Sequence, residues 1–405
     1  MYTKKLNIAI ILPFIITKNG TAKQSLELAT VLAKRGHSIT FFTFAYSRQN
    51  TFPEFSNFNI KCCTYVERSL IHKFIKNAAI LEQIYLYYSL LFIRQFIGLF
   101  KKEKIDILNP HDWISLWVAK WVKGDRCSIV ANINDVPERI NKGFLSKLKL
   151  NIDRENISKI NALVVLDALN KEKVIKWLNI DAKKVFVVRS GVDIHKYTNF
   201  KKRYNIKKML KIPRDSIVLV CANLLLRNRR YEDAIYALEK LRNIYPKLHL
   251  VILSKLDFDK KYAEFLKSIV HKKRLNTRIH FIDKYFTDEE RMMYIKNSDI
   301  LIFPNSPQTW GLTVLEAMAL GTLAIVSRGS GVSEVLTDGV NSMLYDAGNV
   351  DMLKDKLIQS LDDRNKLKEI AKSGQKYVLG TFSWDNFGKN LEKIMINTKK
   401  HTIKY

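Results

Sequence analysis

Cysteine is scarce in this chain, with four in 405 residues: Cys62, Cys63, Cys127 and Cys221. Their spacing makes neither a zinc-binding set nor a disulfide framework, and a reducing cytosol suits them best. Acidic residues are also short, with 39 Asp and Glu against 68 Lys and Arg, a formal net charge of +29. No arginine-rich tract or nucleic-acid motif accompanies that charge, which ranks nucleic acid last among its partners. Nowhere does an uncharged apolar run reach the ~18–20 residues that a membrane-spanning helix needs. The run from Leu6 to Leu12 is short, lacks a small-residue cleavage site and enters a polar loop. It therefore predicts a buried first strand rather than a signal peptide. Two readings of the charge stay open. One is a peripheral hold on an anionic membrane surface, at about 1 kcal/mol per basic side chain near the lipid. The other is a lysine-rich proteome.

What is present describes a globular protein. Hydrophobic residues make up 47% and charged residues 26%, and a chain of this length exceeds one compact core, so two domains are expected. The first strand, a loop over residues 13–23 with Asn19 and Gly20, a helix over 25–35 and a strand over 39–43 form a βαβ opening. That opening is typical of a doubly wound sheet. His37 reads as a helix-ending residue. Residues 74–100 are the most apolar region, interrupted by Glu82, Gln83, Arg94 and Gln95 and flanked by Lys73, Lys76, Lys101, Lys102 and Lys104. A helix covering the first sheet, with one end exposed to lipid, is the expectation there. Further strands are expected at 105–109, 128–133, 162–166, 185–188, 217–223, 248–254, 279–282 and 300–304.

The segment from 300 to 334 organises the second half. The strand ending at Pro304 leads through a polar loop to Gly311, after which Leu312, Leu315 and Ala319 recur at helical spacing and Gly321 ends the helix. A helix N-terminus just after a parallel strand offers N–H groups and partial positive charge to an anion. Glu316 lies one turn inside, where a carboxylate can accept from a ribose diol. A second strand then opens a loop containing Gly329, Ser330 and Gly331, whose glycines allow close backbone approach. Earlier, Arg227, Arg229 and Arg230 crowd into four residues before a helix expected to begin at Tyr231. Guanidinium groups so placed form a diphosphate clamp.

Gln308 and Glu316, separated by seven residues, followed by Ser330-Gly331-Val332-Ser333-Glu334, resemble the C-terminal signature of the retaining glycosyltransferases of family 4. The family has glutamate where Gln308 stands. The resemblance implies the GT-B architecture, with two Rossmann-like doubly wound domains facing across a cleft and a last helix crossing back to the first domain. It sets residues 1–194 as the acceptor-binding domain, 195–210 as the linker, 211–380 as the nucleotide-sugar-binding domain and 381–405 as the returning helix. It implies transfer of a sugar, with retention of configuration, from a UDP- or GDP-linked donor to a glycan or lipid-linked acceptor. No cofactor and no metal are implied.

The resemblance also assigns residues. Arg229, Gln308 and His111 are candidates for the catalytic step. Asn223, Arg227, Arg230, Trp310, Gly311, Leu312 and Glu316 are candidates for the donor. Asn19, Gly20, Asn134 and Asp135 are candidates for the acceptor and phosphate loop. Asn223 stands where the family has arginine, and Asn134 where members often carry histidine. Asn134 can hydrogen-bond a sugar but cannot act as a general base. His111, its ring oriented by Asp112, is read equally as a substrate contact or as a satisfied structural histidine. Asp257 and Asp259 read as structural. A nucleotide-sugar epimerase of the same fold, or a catalytically silent homologue serving as a membrane-associated partner, are the alternatives.

Overall fold

The computed structural model describes residues 5–16, 19–49, 51–65, 93–122, 127–134, 144–201, 204–306 and 310–402. The chain forms two units, one of Met1–Ser190 with Trp384–Tyr405 and the other of Gly191–Ser383.

In the first unit the strands are β1 (Asn7–Ile11), β2 (Phe14–Ile15), β3 (Ser38–Tyr46), β4 (Asn59–Tyr65), β5 (Ile107–Pro110), β6 (Ser128–Asn132), β7 (Ala162–Val165) and β8 (Val185–Val187). They lie in the order β2-β3-β1-β5-β6-β7-β8, with β4 also beside β3, and all the pairings are parallel. Near-continuous burial along β1, β3, β5, β6 and β7 is what a parallel sheet covered on both faces demands. The helix Gly20–Lys34 begins five residues before its apolar pattern does, because Asn19 caps it by accepting from the Ala22 N–H at 2.8 Å.

Of the apolar region at 74–100, the described part is the helix Ile93–Lys101; the remainder lies outside the described residues. Phe96 and Phe100 are buried, with ring centroids 5.8 and 4.7 Å from Phe42, and Phe96 lies 5.1 Å from Phe44. The Phe96 and Phe100 side of this helix is core, while Arg94, Gln95 and Gly98 are exposed. Among the described residues no helix is long and apolar enough to cross a membrane.

The C-terminal helix Trp384–Thr402 belongs to the first unit and is tied there by charge. Glu392, 3% exposed, accepts from Arg35 Nε at 2.6 Å and lies 2.9 Å from His37 Nε2. The Leu6 N–H donates to His37 Nδ1 at 3.1 Å, so Nε2 carries the proton given to Glu392. His37 is thus more than a helix-ending residue: it joins the strand edge to the last helix.

The second unit carries β9 (Ile217–Ala222), β10 (Leu248–Leu253), β11 (Ile279–Ile282), β12 (Ile300–Phe303), β13 (Leu323–Arg328) and β14 (Met343–Asp346), all parallel. Their order is β11-β10-β9-β12-β13-β14, the 3-2-1-4-5-6 arrangement of a doubly wound dinucleotide-type sheet. Residues 195–210, expected as a linker, instead carry the helices Ile194–Thr198 and Ile206–Met209 and group with this unit. Asp193 and Asn205 cap them by accepting from backbone N–H groups, a local signal that the basic composition hides.

Candidate active site

In a doubly wound sheet the strand order reverses beside the first strand, and the loops leaving the C-terminal ends there diverge to leave a ligand crevice. In the second unit that point falls between β9 and β12, which pair through Ile300–Leu219 and Leu301–Val220. The loop after β9 holds Asn223 and the three arginines; the loop after β12 leads to Gly311. The Ser306 N–H donates to the Asn228 carbonyl at 2.9 Å, joining the two loops. From β13, Ser327 Oγ donates to the Asn305 carbonyl at 2.6 Å, and Ser330 Oγ donates back to the Ser327 carbonyl at 2.8 Å. The sequence-distant glycine loop is therefore bonded to the same edge.

Gly311 is the hinge of the arrangement. Its φ is +87°, and a Cβ there would lie 2.8 Å from Val332 Cγ1, so both backbone and space require glycine. The helix Leu312–Ala319 follows with no side-chain cap, its first turn beginning at Leu312. The first N–H groups of a helix have no intrahelical partner, so this terminus favours an anion. Trp310, assigned to the donor in the sequence reading, is 4% exposed, with its ring 6.0 Å from that of Phe382. It holds the turn by packing. Gln308 lies outside the described residues.

The three arginines separate. Arg227 lies over two aromatic rings, 6.0 Å from the Tyr262 centroid and 5.7 Å from that of Phe265. Arg230, in the left-handed region with φ +48°, makes a two-pronged bond to Asp233 through Nε and Nη2, each at 3.0 Å. That fork is satisfied within the protein. Arg229, in the short helix Arg227–Arg229, is set into the unit and 8% exposed. Asn223 spends its Oδ1 on the adjacent Leu224 N–H at 2.8 Å, and its carbonyl accepts from Tyr231 Oη at 2.9 Å. Its Oδ1 is thus committed to the backbone at the strand end.

Glu316 sits one turn inside the helix. Its Oε1 accepts from Tyr197 Oη at 2.8 Å and from Arg291 Nη2 at 2.9 Å. The same Arg291 Nη2 lies 3.3 Å from Asp288 Oδ1, whose other oxygen takes Lys196 Nζ at 2.8 Å. Tyr197 is pushed well above the usual phenol range, first by burial and then by the Glu316 charge. Sequence reasoning missed Tyr197 and Arg291. The signal for the first was Asp193, a cap residue three positions before Lys196.

In the first unit the strand order reverses between β1 and β5, which pair as Ile11–Pro110. His111 follows β5 directly and its N–H donates to the Ile11 carbonyl at 3.1 Å. Its ring is held by Asn109, not Asp112: Nε2 lies 2.8 Å from Asn109 Oδ1. Asp112 instead caps the helix Trp113–Val122, accepting from the Ser115 N–H at 2.7 Å. Burial takes the His111 pKa down to about 3 and the Asp112 pKa up to about 6. Near neutrality the imidazole is an uncharged hydrogen-bonding group. Asn19 is the helix cap described above, and Gly20 begins the helix with open space where a Cβ would stand. Asn134 Nδ2 reaches Thr21 Oγ1 at 3.5 Å, tying the loop after β6 to that helix start. Asp135 lies outside the described residues. Asp259 caps the helix Lys260–Lys272 and Asp257 lies 3.6 Å from Lys255 Nζ, so each has a structural partner.

Two doubly wound parallel sheets, each with polar residues gathered where its strand order reverses, define the GT-B class of fold. The family described as Glycosyltransferase Family 4 matches residues 18–196, and that described as Glycosyl transferases group 1 matches residues 202–377. An uncharacterized glycosyltransferase of Methanocaldococcus jannaschii is 23% identical over 91% of this chain and 92% of its own. The UDP-Gal:alpha-D-GlcNAc-diphosphoundecaprenol alpha-1,3-galactosyltransferase of Escherichia coli is 27% identical over 73% of this chain and 76% of its own. The solved structure of Anabaena HepE in complex with UDP superposes with a TM-score of 0.74 at 15% identity, over 96% of this chain and 99% of that one. The chain belongs to the glycosyltransferases of family 4 and is a glycosyltransferase.

Proposed function

We propose that this glycosyltransferase transfers a sugar, with retention of configuration, from a nucleotide-diphosphate donor held by the second unit to a glycan or lipid-linked acceptor bound by the first. The observation that carries the reading is the bond between Ser306 and Asn228. It ties together, at one point of strand reversal, the loop of Arg229 and the loop that starts the Glu316 helix. Arg229 and the amides at the Leu312–Ala319 terminus would neutralise the leaving diphosphate in place of a metal ion. Glu316 would accept from the ribose. The His111 ring, neutral near pH 7, would contact a sugar hydroxyl without exchanging its proton. No side chain is assigned as a covalent nucleophile, so the rate would come from positioning and charge. HepE in complex with UDP, and the E. coli enzyme that acts with UDP-Gal, favour a uridine donor. The lipid diphosphate named for the latter, together with the net charge of +29, favours an acceptor at the cytoplasmic membrane face.

Calorimetry with UDP and GDP on the wild type and on Arg229→Ala and Arg227→Ala tests the donor site. Loss of a charge-assisted hydrogen bond lowers affinity by about 10- to 100-fold. That loss is expected in Arg229→Ala, with little change in Arg227→Ala. Wild-type affinity in Arg229→Ala, or activity abolished by EDTA, overturns the metal-free clamp. The anomeric configuration of the product, read by NMR, decides retention.

A further inference from the structure

The Glu316 carboxylate is asymmetrically loaded. Both of its described hydrogen bonds, from Tyr197 and from Arg291, land on Oε1. Tyr197 is 5% exposed, and a buried phenol normally needs a partner for its hydroxyl. Its Oη finds that partner in Glu316. Arg291 is held in turn by Asp288, which is itself anchored by Lys196. A carboxylate gripped at one oxygen by two donors of different origin loses rotational freedom, and its second oxygen acquires a fixed direction. That direction is set from the helices Ile194–Thr198 and Asp288–Asn297, neither of which contains Glu316.

We propose that Tyr197 and Arg291 are positioning residues that commit Oε1 of Glu316 to the protein and present Oε2 alone to the ribose of the donor. This rests on the ribose role given to Glu316 above and adds how that residue would tell a ribonucleotide from a deoxyribonucleotide. A freely turning carboxylate offers either oxygen and tolerates the loss of one hydroxyl. A clamped one makes a directed bond that an absent hydroxyl leaves unmade, so discrimination rises with the clamp.

The test is a set of dissociation constants by calorimetry for UDP, GDP and the 2′-deoxy and 3′-deoxy counterpart of each. They are measured on the wild type, Tyr197→Phe, Arg291→Lys and Glu316→Gln, with thermal melting of every variant. Tyr197→Phe removes one oxygen and keeps the ring, so the fold is expected to survive. The wild type is expected to prefer the ribonucleotide about tenfold or more over at least one deoxy form. Tyr197→Phe should reduce that preference about threefold or more, while affinity for the disfavoured deoxy form stays constant. Arg291→Lys should act in the same direction. A merely structural role would lower the melting temperature or weaken all nucleotides equally, and either result with the preference intact overturns the proposal. A wild type without preference, or a preference untouched in Glu316→Gln, removes the ribose role of Glu316 itself. Loss of preference in Glu316→Gln but not in Tyr197→Phe or Arg291→Lys leaves that role standing and defeats only the clamp.

Discussion

The Nε2 of His111 lies 2.8 Å from Oδ1 of Asn109, and the Asn109 amide nitrogen donates to the Val130 carbonyl at 2.6 Å. The second contact fixes which end of the amide faces the histidine. An oxygen facing Nε2 accepts its proton, so Nδ1 carries the lone pair. Asn109 thus sets the tautomer, a task that the sequence reading gave to Asp112.

That assignment predicts a spectrum. In ¹⁵N-resolved NMR His111 should show a protonated Nε2 and an unprotonated Nδ1 at pH 7. It should stay neutral at pH 5, since burial holds its pKa at about 3. An imidazolium signal at pH 5, or the proton on Nδ1, contradicts the arrangement. In Asn109→Leu the preference for one tautomer should disappear.

The neighbouring pair His111 and Asp112 predicts an unusual pH response. A histidine whose folded pKa is about 3, below its free value near 6.5, binds fewer protons when folded. Its contribution therefore grows as pH rises from about 3 to 6.5 and is lost as pH falls through that window. Asp112 does the reverse. Its folded pKa is about 6, above the free value of 3.8, so its contribution is full below pH 3.8 and lost as pH rises toward 6. Each slope is at most about 1.4 kcal/mol per pH unit, and between pH 4 and 6 they oppose one another. Asp112→Asn keeps an oxygen for the Ser115 N–H and removes one slope. Urea unfolding at pH 4, 5 and 6 should then show the variant gaining on the wild type as pH rises. Parallel curves would deny the opposition.

Much of the scaffold was legible because it is written in short-range pattern. The strand Ile300–Phe303, the glycine at 311 and the helix Leu312–Ala319 all follow from apolar runs, helical spacing and the conformational needs of one turn. The family resemblance singled out Glu316 for the same reason, since motif spacing is local. What stayed hidden is long-range pairing of polar groups. His37 and Glu392 are 355 positions apart, and Tyr197 and Glu316 are 119 apart. Nothing in the spacing of either partner indicates the other. Arg230 illustrates a subtler limit. Three arginines within four residues look equivalent as charges, but Asp233, three residues beyond Arg230, forks that one, while the rings of Tyr262 and Phe265 lie under Arg227. The resemblance likewise assigned Trp310 and Asn223 to the donor; the Trp310 ring lies beside Phe382, and Asn223 Oδ1 accepts from its neighbour's N–H.

The C-terminal helix gives a stability prediction. Removing one partner from a buried charged pair costs about 3–5 kcal/mol, since the other is left uncompensated. Arg35 keeps a side-chain exposure of 33%, which reduces the penalty on its side. Glu392→Ala is therefore expected to destabilise the first unit by about 2–4 kcal/mol, measured by denaturant unfolding, and Arg35→Ala, which leaves the buried carboxylate with only its His37 partner, by at least as much. Equal small losses would mean that the helix is held by its apolar face alone.

Gly311 predicts two separable defects. Alanine there meets Val332 Cγ1 at 2.8 Å and must also adopt a φ of +87°. Overpacking of this kind costs about 1–3 kcal/mol, and a non-glycine residue in the left-handed region a further ~1–2 kcal/mol. Gly311→Ala should thus lower the stability of the second unit and weaken nucleotide binding together, because the residue starts the helix that bears Glu316. Adding Val332→Ala removes the Cγ1 collision but leaves the contacts with Val332 Cβ at 3.2 Å and Phe303 Cε1 at 3.3 Å, and the backbone strain. The double variant should recover part of the lost stability, with binding still below the wild type because the helix terminus stays displaced. Full recovery of both would reduce Gly311 to a matter of space, and no recovery of either would place the whole cost in the backbone.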